Sequence, residues 1–383
     1  MLTTESMTLK RQKKLNALRL AGLAAALSAI PVLACSVPVF RYALEHWAAD
    51  SFQAVVFHRG PLSDAHRALV NDLGPNGLAG RLRANLSPKT VDLAANPPAE
   101  LRGLLPQSDT ETLPWLVLRS PRTVRAATTI WSGPLDRTNL TQLLDSPARQ
   151  ELTRRLGRGE SAVWVLLESG DRTKDAATTD LLASRLAYLM STLQLPKLDA
   201  HDLTNGLVSV GQEDLRLEFS TLRIARDDPQ EAAFVQMLLG IEADLRDVKD
   251  PIVFPIFGQG RALYALVGGG IKRETIDQAA MFLIGKCSCQ VKEQNPGIDL
   301  LFAADWKRLI KTDTAAFPDL PTMAELKKSA PETVVISGSG DGTTTGDNAG
   351  WNRSLPSGKM FALAGGVGIG LLLAVVLLLR RKK

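Results

Sequence analysis

Leu113-Pro114-Trp115-Leu116-Val117-Leu118 opens on proline and runs on as an unbroken apolar stretch, and Asp250-Pro251-Ile252-Val253-Phe254 repeats the arrangement later in the chain. Proline has no N–H to donate, so it is tolerated at the first residue of a strand. A short Val/Leu/Ile/aromatic run behind it reads as a strand covered on both faces. Working outward from each run, the same order of elements recurs: strand, helix, strand, proline-led strand, hairpin strand, helix.

In the first pass the strands are Gln53 to Phe57, Lys89 to Leu93, Trp115 to Leu118 and Ala127 to Trp131, the last turned by Ser132-Gly133-Pro134. Ser63 to Leu73 is helical, and one helix is predicted from Thr138 through Leu156 on the spacing of Leu140, Leu143, Leu144, Leu152 and Leu156. In the second pass Ala162 to Leu167 is a continuous apolar strand, followed by a helix from Lys174 to Leu193. A strand within Leu215 to Ala225, a helix from Gln230 to Leu245, the strands at Ile252 and at Leu263 to Val267, and a helix from Arg273 to Ile284 complete it. Alternating strands and helices predict an α/β fold.

In both passes this order resembles the thioredoxin fold, and the chain is similar to a tandem thioredoxin-like protein of the bacterial envelope from roughly Phe52 to Ile284. The resemblance implies that Pro114 and Pro251 stand where thioredoxins carry the cis-proline beside the redox site. The residues alone are equally served by a trans proline at a strand start. The dithiol motif Cys-Gly-Pro-Cys would fall on Arg59-Gly60-Pro61-Leu62, where Gly-Pro survives and neither flanking residue can form a thiolate. The second half has Ser169-Gly170-Asp171-Arg172 in that place, again without cysteine. Thiol–disulfide exchange needs a thiolate to attack sulfur. The expectation is therefore a binding or scaffold protein with no catalytic residue, a subunit or accessory of an envelope membrane complex.

The termini carry the location. Met360 to Leu379 is apolar or glycine throughout and ends in Arg380-Arg381-Lys382-Lys383. As a helix it is about 30 Å long, enough to cross a bilayer, with the basic cluster at the cytoplasmic end. At the other end, Lys10-Arg11-Gln12-Lys13-Lys14 precedes the apolar stretch Leu18 to Ala34. Three readings stand: a signal peptide cut after Ala34, a lipobox with Cys35 as lipidated first residue, or an uncleaved anchor. Each leaves the globular part outside the cytoplasm, periplasmic or extracytoplasmic, and with the leader cleaved the chain is a single-pass membrane protein. The expected division is 1–34 leader or membrane segment, 35–51 lead-in segment, 52–158 first domain and 159–312 second domain. It continues with a flexible Gly/Ser/Thr-rich stalk at 313–359, the transmembrane helix 360–379 and the tail 380–383. The lead-in, with Phe40, Tyr42 and Trp47, is expected to pack on the first domain.

The net charge of +5 suggests a polyanion partner until its position is read. Residues 1–34 and the last four residues carry +4 each, which leaves about −3 for everything between. Nucleic-acid binding is therefore not expected; the partners are the membrane and a protein of the envelope. Three cysteines, Cys35, Cys287 and Cys289, are too few for a disulfide scaffold. They leave open a bridge to Cys35, or an alternative function as an atypical thiol–disulfide oxidoreductase using Cys287 and Cys289. His46, His58, His66 and His201 show no spacing to these cysteines that completes a metal site, and no cofactor is expected. Gly268-Gly269-Gly270 lacks the Lys-Ser/Thr of a phosphate loop.

Overall fold

The two apolar runs behind Pro114 and Pro251 become the third strands of two separate sheets. The computed structural model describes residues 35–105, 112–121, 128–287 and 290–311. The leader segment, Cys289, the stalk, the apolar segment 360–379 and the basic tail lie outside the described residues. Among the described residues no helix is long and apolar enough to cross a membrane.

The first half runs α1 (Val39–His46), β1 (Phe52–His58), α2 (Asp64–Leu73), β2 (Leu86–Asp92), β3 (Trp115–Arg119), β4 (Thr129–Pro134) and α3 (Arg137–Leu144). The second runs α4 (Pro147–Gly157), β5 (Ala162–Leu167), α5 (Arg172–Thr192), β6 (Phe219–Ile224), α6 (Ala232–Leu239) and β7 (Ile252–Phe257). It ends with β8 (Arg261–Ala262), β9 (Leu266–Val267), α7 (Arg273–Ile284), β10 (Ile298–Asp299) and α8 (Trp306–Lys311). The first sheet has the order β2-β1-β3-β4, with β1 and β2 parallel and the other pairs antiparallel. The second repeats it: β6 lies parallel to β5, β7 antiparallel to β5, and β9 pairs β7 beyond. The α/β class and the twofold recurrence of one strand order are thus features of the structure.

The Leu113–Pro114 bond ahead of β3 is cis. Among the described residues it is the one cis bond, so the expectation for Pro251 gives way to an ordinary trans proline at a strand start. Pro255 sits inside β7, where a proline would normally break a ladder. Its carbonyl accepts from Leu263 N at 2.9 Å, so its missing N–H faces the same side. There β7 changes partner, pairing β9 at Ile252–Val253 and β8 at Ile256–Phe257, and no donor is needed between them.

Two expectations need correction. The single helix over Thr138 to Leu156 is two, α3 and α4, broken at Asp145 and Ser146. Pro147 disfavours helical backbone at Ser146, and itself suits the first position of a new helix. The lead-in segment packs on the second half rather than the first. Val37, Val39, Phe40, Tyr42, Ala43 and Trp47 belong to one apolar core with Trp164, Phe257, Ile276 and Leu283. Backbone bonds hold it there: Val39 N to Gly285 O at 2.9 Å and Cys287 N to Val37 O at 2.8 Å. A helical period reveals an apolar face but not the surface it will meet.

The halves are joined through Arg149 of α4, which is 2% exposed. Its Nη1 donates to Leu143 O at 2.8 Å and Leu301 O at 3.3 Å, its Nη2 to Gln142 O at 2.5 Å, and its Nε to Ser146 Oγ at 3.1 Å. Its guanidinium lies 5.8 Å from the ring centre of Phe234 in α6. Burial lowers its pKa to about 10, so it stays charged at neutral pH. Beside it, Glu231 accepts from Ala148 N at 2.7 Å and supplies α4 with the N-terminal cap that Ser146 does not. A second tie lies at Asn85. Its Nδ2 donates to Asp50 O at 2.7 Å and Leu300 O at 3.1 Å, and its Oδ1 accepts from Phe302 N at 2.8 Å.

Burial pushes the carboxyls of Asp145 and Glu231 up, against the pull of Arg149. A carboxyl whose folded pKa exceeds its unfolded value lowers stability at neutral pH and gives that stability back as pH falls through the folded value. Glu231→Gln keeps an acceptor for Ala148 N and removes the charge. The variant is expected to exceed wild type in stability at pH 7, with the advantage shrinking as the pH approaches the ordinary glutamate range, as measured by urea unfolding across that window. Gly260 (φ +88°) supports a second test, because a Cβ there would lie 2.3 Å from Cδ2 of buried Phe302. Gly260→Ala is expected to cost about 2–4 kcal/mol, from backbone strain plus overpacking, read as a lower urea midpoint at unchanged slope.

Candidate functional site

In each half the first strand ends in a loop that leads to a helix, and the two loops are closed in the same way. His58 ends β1, and Arg59-Gly60-Pro61-Leu62 follows, with Gly60 at φ +67°, a conformation that favours glycine. Gly60 N donates to Asp92 Oδ1 at 3.0 Å, and Ala94 N donates to the same oxygen at 2.9 Å. The His58 Nδ1–H donates to Gly60 O at 2.8 Å. The Ala94 and Gly60 N–H groups hold the Asp92 carboxyl below the usual carboxylate range. Ser63 caps α2 by accepting from His66 N at 3.2 Å.

In the second half the loop after β5 is Ser169-Gly170-Asp171-Arg172. Asp175, 4% exposed, reaches back from α5. Its Oδ1 accepts from Ser169 N and Ser169 Oγ, both at 2.8 Å, and its Oδ2 from Gly170 N at 3.0 Å. Asp171 caps the helix through Thr173 N at 2.9 Å and Lys174 N at 3.2 Å. Lys174 then pairs with Asp250 at 2.7 Å, beside Pro251.

N–H groups at a strand end or helix start are the donors that stabilise a thiolate or oxyanion. Here a fixed carboxylate occupies them in both loops. Neither loop holds a cysteine, and the carboxylates come from outside the loops, Asp92 from the end of β2 and Asp175 from α5.

The cysteines lie elsewhere. Cys35 is 3% exposed and Cys287 is 1% exposed, both within the core of the second half, on segments joined by the Pro38–Lys286 bridge. Burial pushes the Cys35 thiol up, away from the thiolate needed for exchange. Its neighbour Ser36 is latched down by Asp202, which accepts from Ser36 N at 2.7 Å. Pro114 and Arg59 to Leu62 lie at the ends of neighbouring strands; Cys35 and Cys287 belong to the other half's core.

His46 contacts Leu207 O at 3.0 Å and His201 contacts Asn205, and among the described residues no group of three His, Cys, Asp or Glu is placed to hold a metal ion. At the triple glycine, Gly268 N donates to Pro251 O at 3.0 Å and Ile271 N to Gly268 O at 2.9 Å, so these donors are used within the turn.

Sequence reasoning passed over one feature. A cleft of about 1170 Å³ opens between the end of α1, the turn at Arg83 to Asn85, and α8. Its walls come from four distant segments, around residues 45–49, 83–85, 259 and 302–308, so no local motif marks it. Neither a protein-family model nor a curated protein matches this chain.

Removing the Asp175 carboxylate orphans three donors and uncaps the loop. Asp175→Ala is expected to cost about 2–4 kcal/mol, and Asp175→Asn less, by chemical denaturation. A second measurement addresses the thiols. Cys35 of the native protein is expected to resist iodoacetamide under conditions that label it fully in denaturant, read by peptide mass spectrometry. Rapid native labelling would contradict its burial.

Proposed function

We propose that the chain is a membrane-tethered, extracytoplasmic binding or scaffold protein built on two thioredoxin-like units that have no redox chemistry. The observation that carries this reading is the pair of carboxylates, Asp92 and Asp175, which take the strand-end N–H groups where a thiolate would be stabilised. The strand order repeated in both sheets supports the thioredoxin-like assignment. The tether rests on the sequence: an apolar run of bilayer length ahead of Arg380-Arg381-Lys382-Lys383, behind a stretch too polar and glycine-rich to build a core. What the fold then offers is surface, and its work is to hold a protein of the envelope.

The oxidoreductase alternative has less support, because Cys35 and Cys287 are buried and Cys35 is driven toward the neutral thiol. Turnover of insulin disulfides by the purified full-length chain separates the two. No reduction above the dithiothreitol background is expected, and Cys287→Ser/Cys289→Ser is expected to behave as wild type. A catalytic rate abolished by that double substitution would overturn the binding reading. Membrane extraction completes the test: the intact chain should require detergent for release, and a chain truncated after residue 336 should not, once its leader is removed.

A further inference from the structure

We infer that the cleft beside Arg83 is a docking groove for an acidic peptide segment of a partner protein, held by an apolar anchor. The inference deepens the binding reading above and rests on it.

Arg83 is the starting point. Its φ is +57°, the left-handed region that glycine enters freely and a long-chain L-residue enters at a cost. Nothing in the turn asks for arginine. The turn is fixed by backbone alone: Arg83 N to Gly80 O at 3.1 Å, Ala84 N to Ala79 O at 2.9 Å, and the bridge from Ala84 to Ala303. Glycine would satisfy each of these. The side chain is 71% exposed, and Asp305 approaches it only to 3.9 Å, a long and solvated pair of little worth. A strained backbone retained for a side chain with no strong partner points to a ligand.

The surroundings define that ligand's chemistry. Of the carboxylates at the cleft, Glu45 is committed to Arg41 and to Ser209 N, and Asp305 accepts from Arg308 N at 3.2 Å. Exposed Lys307 and Arg308 line the same cleft with Arg83, so with Glu45 paired to Arg41 three cations face the one remaining carboxylate, Asp305, and the balance is positive. The apolar part of the lining is Ala48 and Ala49, with Phe302 and Trp306, both largely buried, at the wall. Three dispersed cations beside apolar wall residues suit carboxylates flanking a hydrophobic side chain. They do not make the dense phosphate track that a nucleic acid needs. The volume exceeds the roughly 300–1,000 Å³ of small-ligand pockets, and the opening is a groove rather than an enclosed cavity.

The test uses the full-length chain in mild detergent and two pools of fluorescein-labelled decapeptides. Both have one central Phe or Leu; one pool is flanked by Asp and Glu, the other by Lys. Fluorescence anisotropy is expected to show binding of the acidic pool alone, weakening as salt shortens the range of the charges. Arg83→Gly is the decisive variant. It relieves the backbone, so its melting temperature should equal or exceed wild type, while affinity for the acidic pool should fall about tenfold. Lys307→Ala should act in the same direction with the fold unchanged. Equal response to both pools, no response to either, or full affinity in Arg83→Gly would overturn the groove. Failure here with no insulin reduction would leave the general binding reading standing. Acidic-pool binding alongside thiol turnover would reject that reading and keep the groove.

Discussion

A guanidinium buried at the meeting of three chain segments sets the arrangement of everything else. Taking such a group out of water is expensive, and the cost is offset only if its donors are met. Arg149 meets them with the last-turn carbonyls of α3, the carbonyl of Leu301 and the hydroxyl of Ser146, and rests against Phe234. The carbonyls at the end of α3 would otherwise be orphaned. Arg149 therefore ends one helix, starts the next and fixes the chain's late return in one step. The carboxyls of Asp145 and Glu231 nearby keep the cation charged.

From that joint a line of aromatic contacts leads outward. Phe234 and Phe302 meet edge to face at 6.2 Å, and Phe302 and Trp306 at 6.0 Å. Phe302 is also the ring that forbids a side chain at Gly260 and the backbone that Asn85 holds. The floor of the cleft is thus continuous with the joint between the halves. A groove on such a support is pre-organised, and a segment settling into it has little ordering to pay for. The first residues of the described chain complete the second half's core before the first half begins, so the halves are interlaced by connectivity as well as by contact.

What could be read in advance follows from the range of the interactions involved. Ala162–Leu167 and Ile252–Phe257 are buried at every position, and an unbroken apolar run is the direct imprint of that burial. The helix Arg273–Ile284 was legible to the residue, since its apolar face and the Gly285 that follows are both local signals. The split between α3 and α4 was legible too, in Pro147, but the leucine spacing on either side masked it. The partner of α1 was not legible, because amphipathicity carries no address. Arg149 and Asp175 look like ordinary helix-surface charges in sequence. Their roles depend on Leu301 and on a loop reversal, which no periodicity encodes.

Asp92 and Arg83 are opposite solutions to the problem of a local structural need. At the strand-end loops the N–H groups demand an anion, and a carboxylate from a neighbouring element meets the demand permanently. That choice stabilises the fold and keeps those donors occupied. At Arg83 the backbone demands a residue without a side chain, and the sequence supplies the longest cation instead. Stability is improved in the first case and surrendered in the second. Selection for folding alone would favour glycine at Arg83, as it favours aspartate at Asp92. Asn96, the other described non-glycine residue at positive φ, has the short polar side chain that this region tolerates, which leaves Arg83 at the cleft as the place where local physics is overruled.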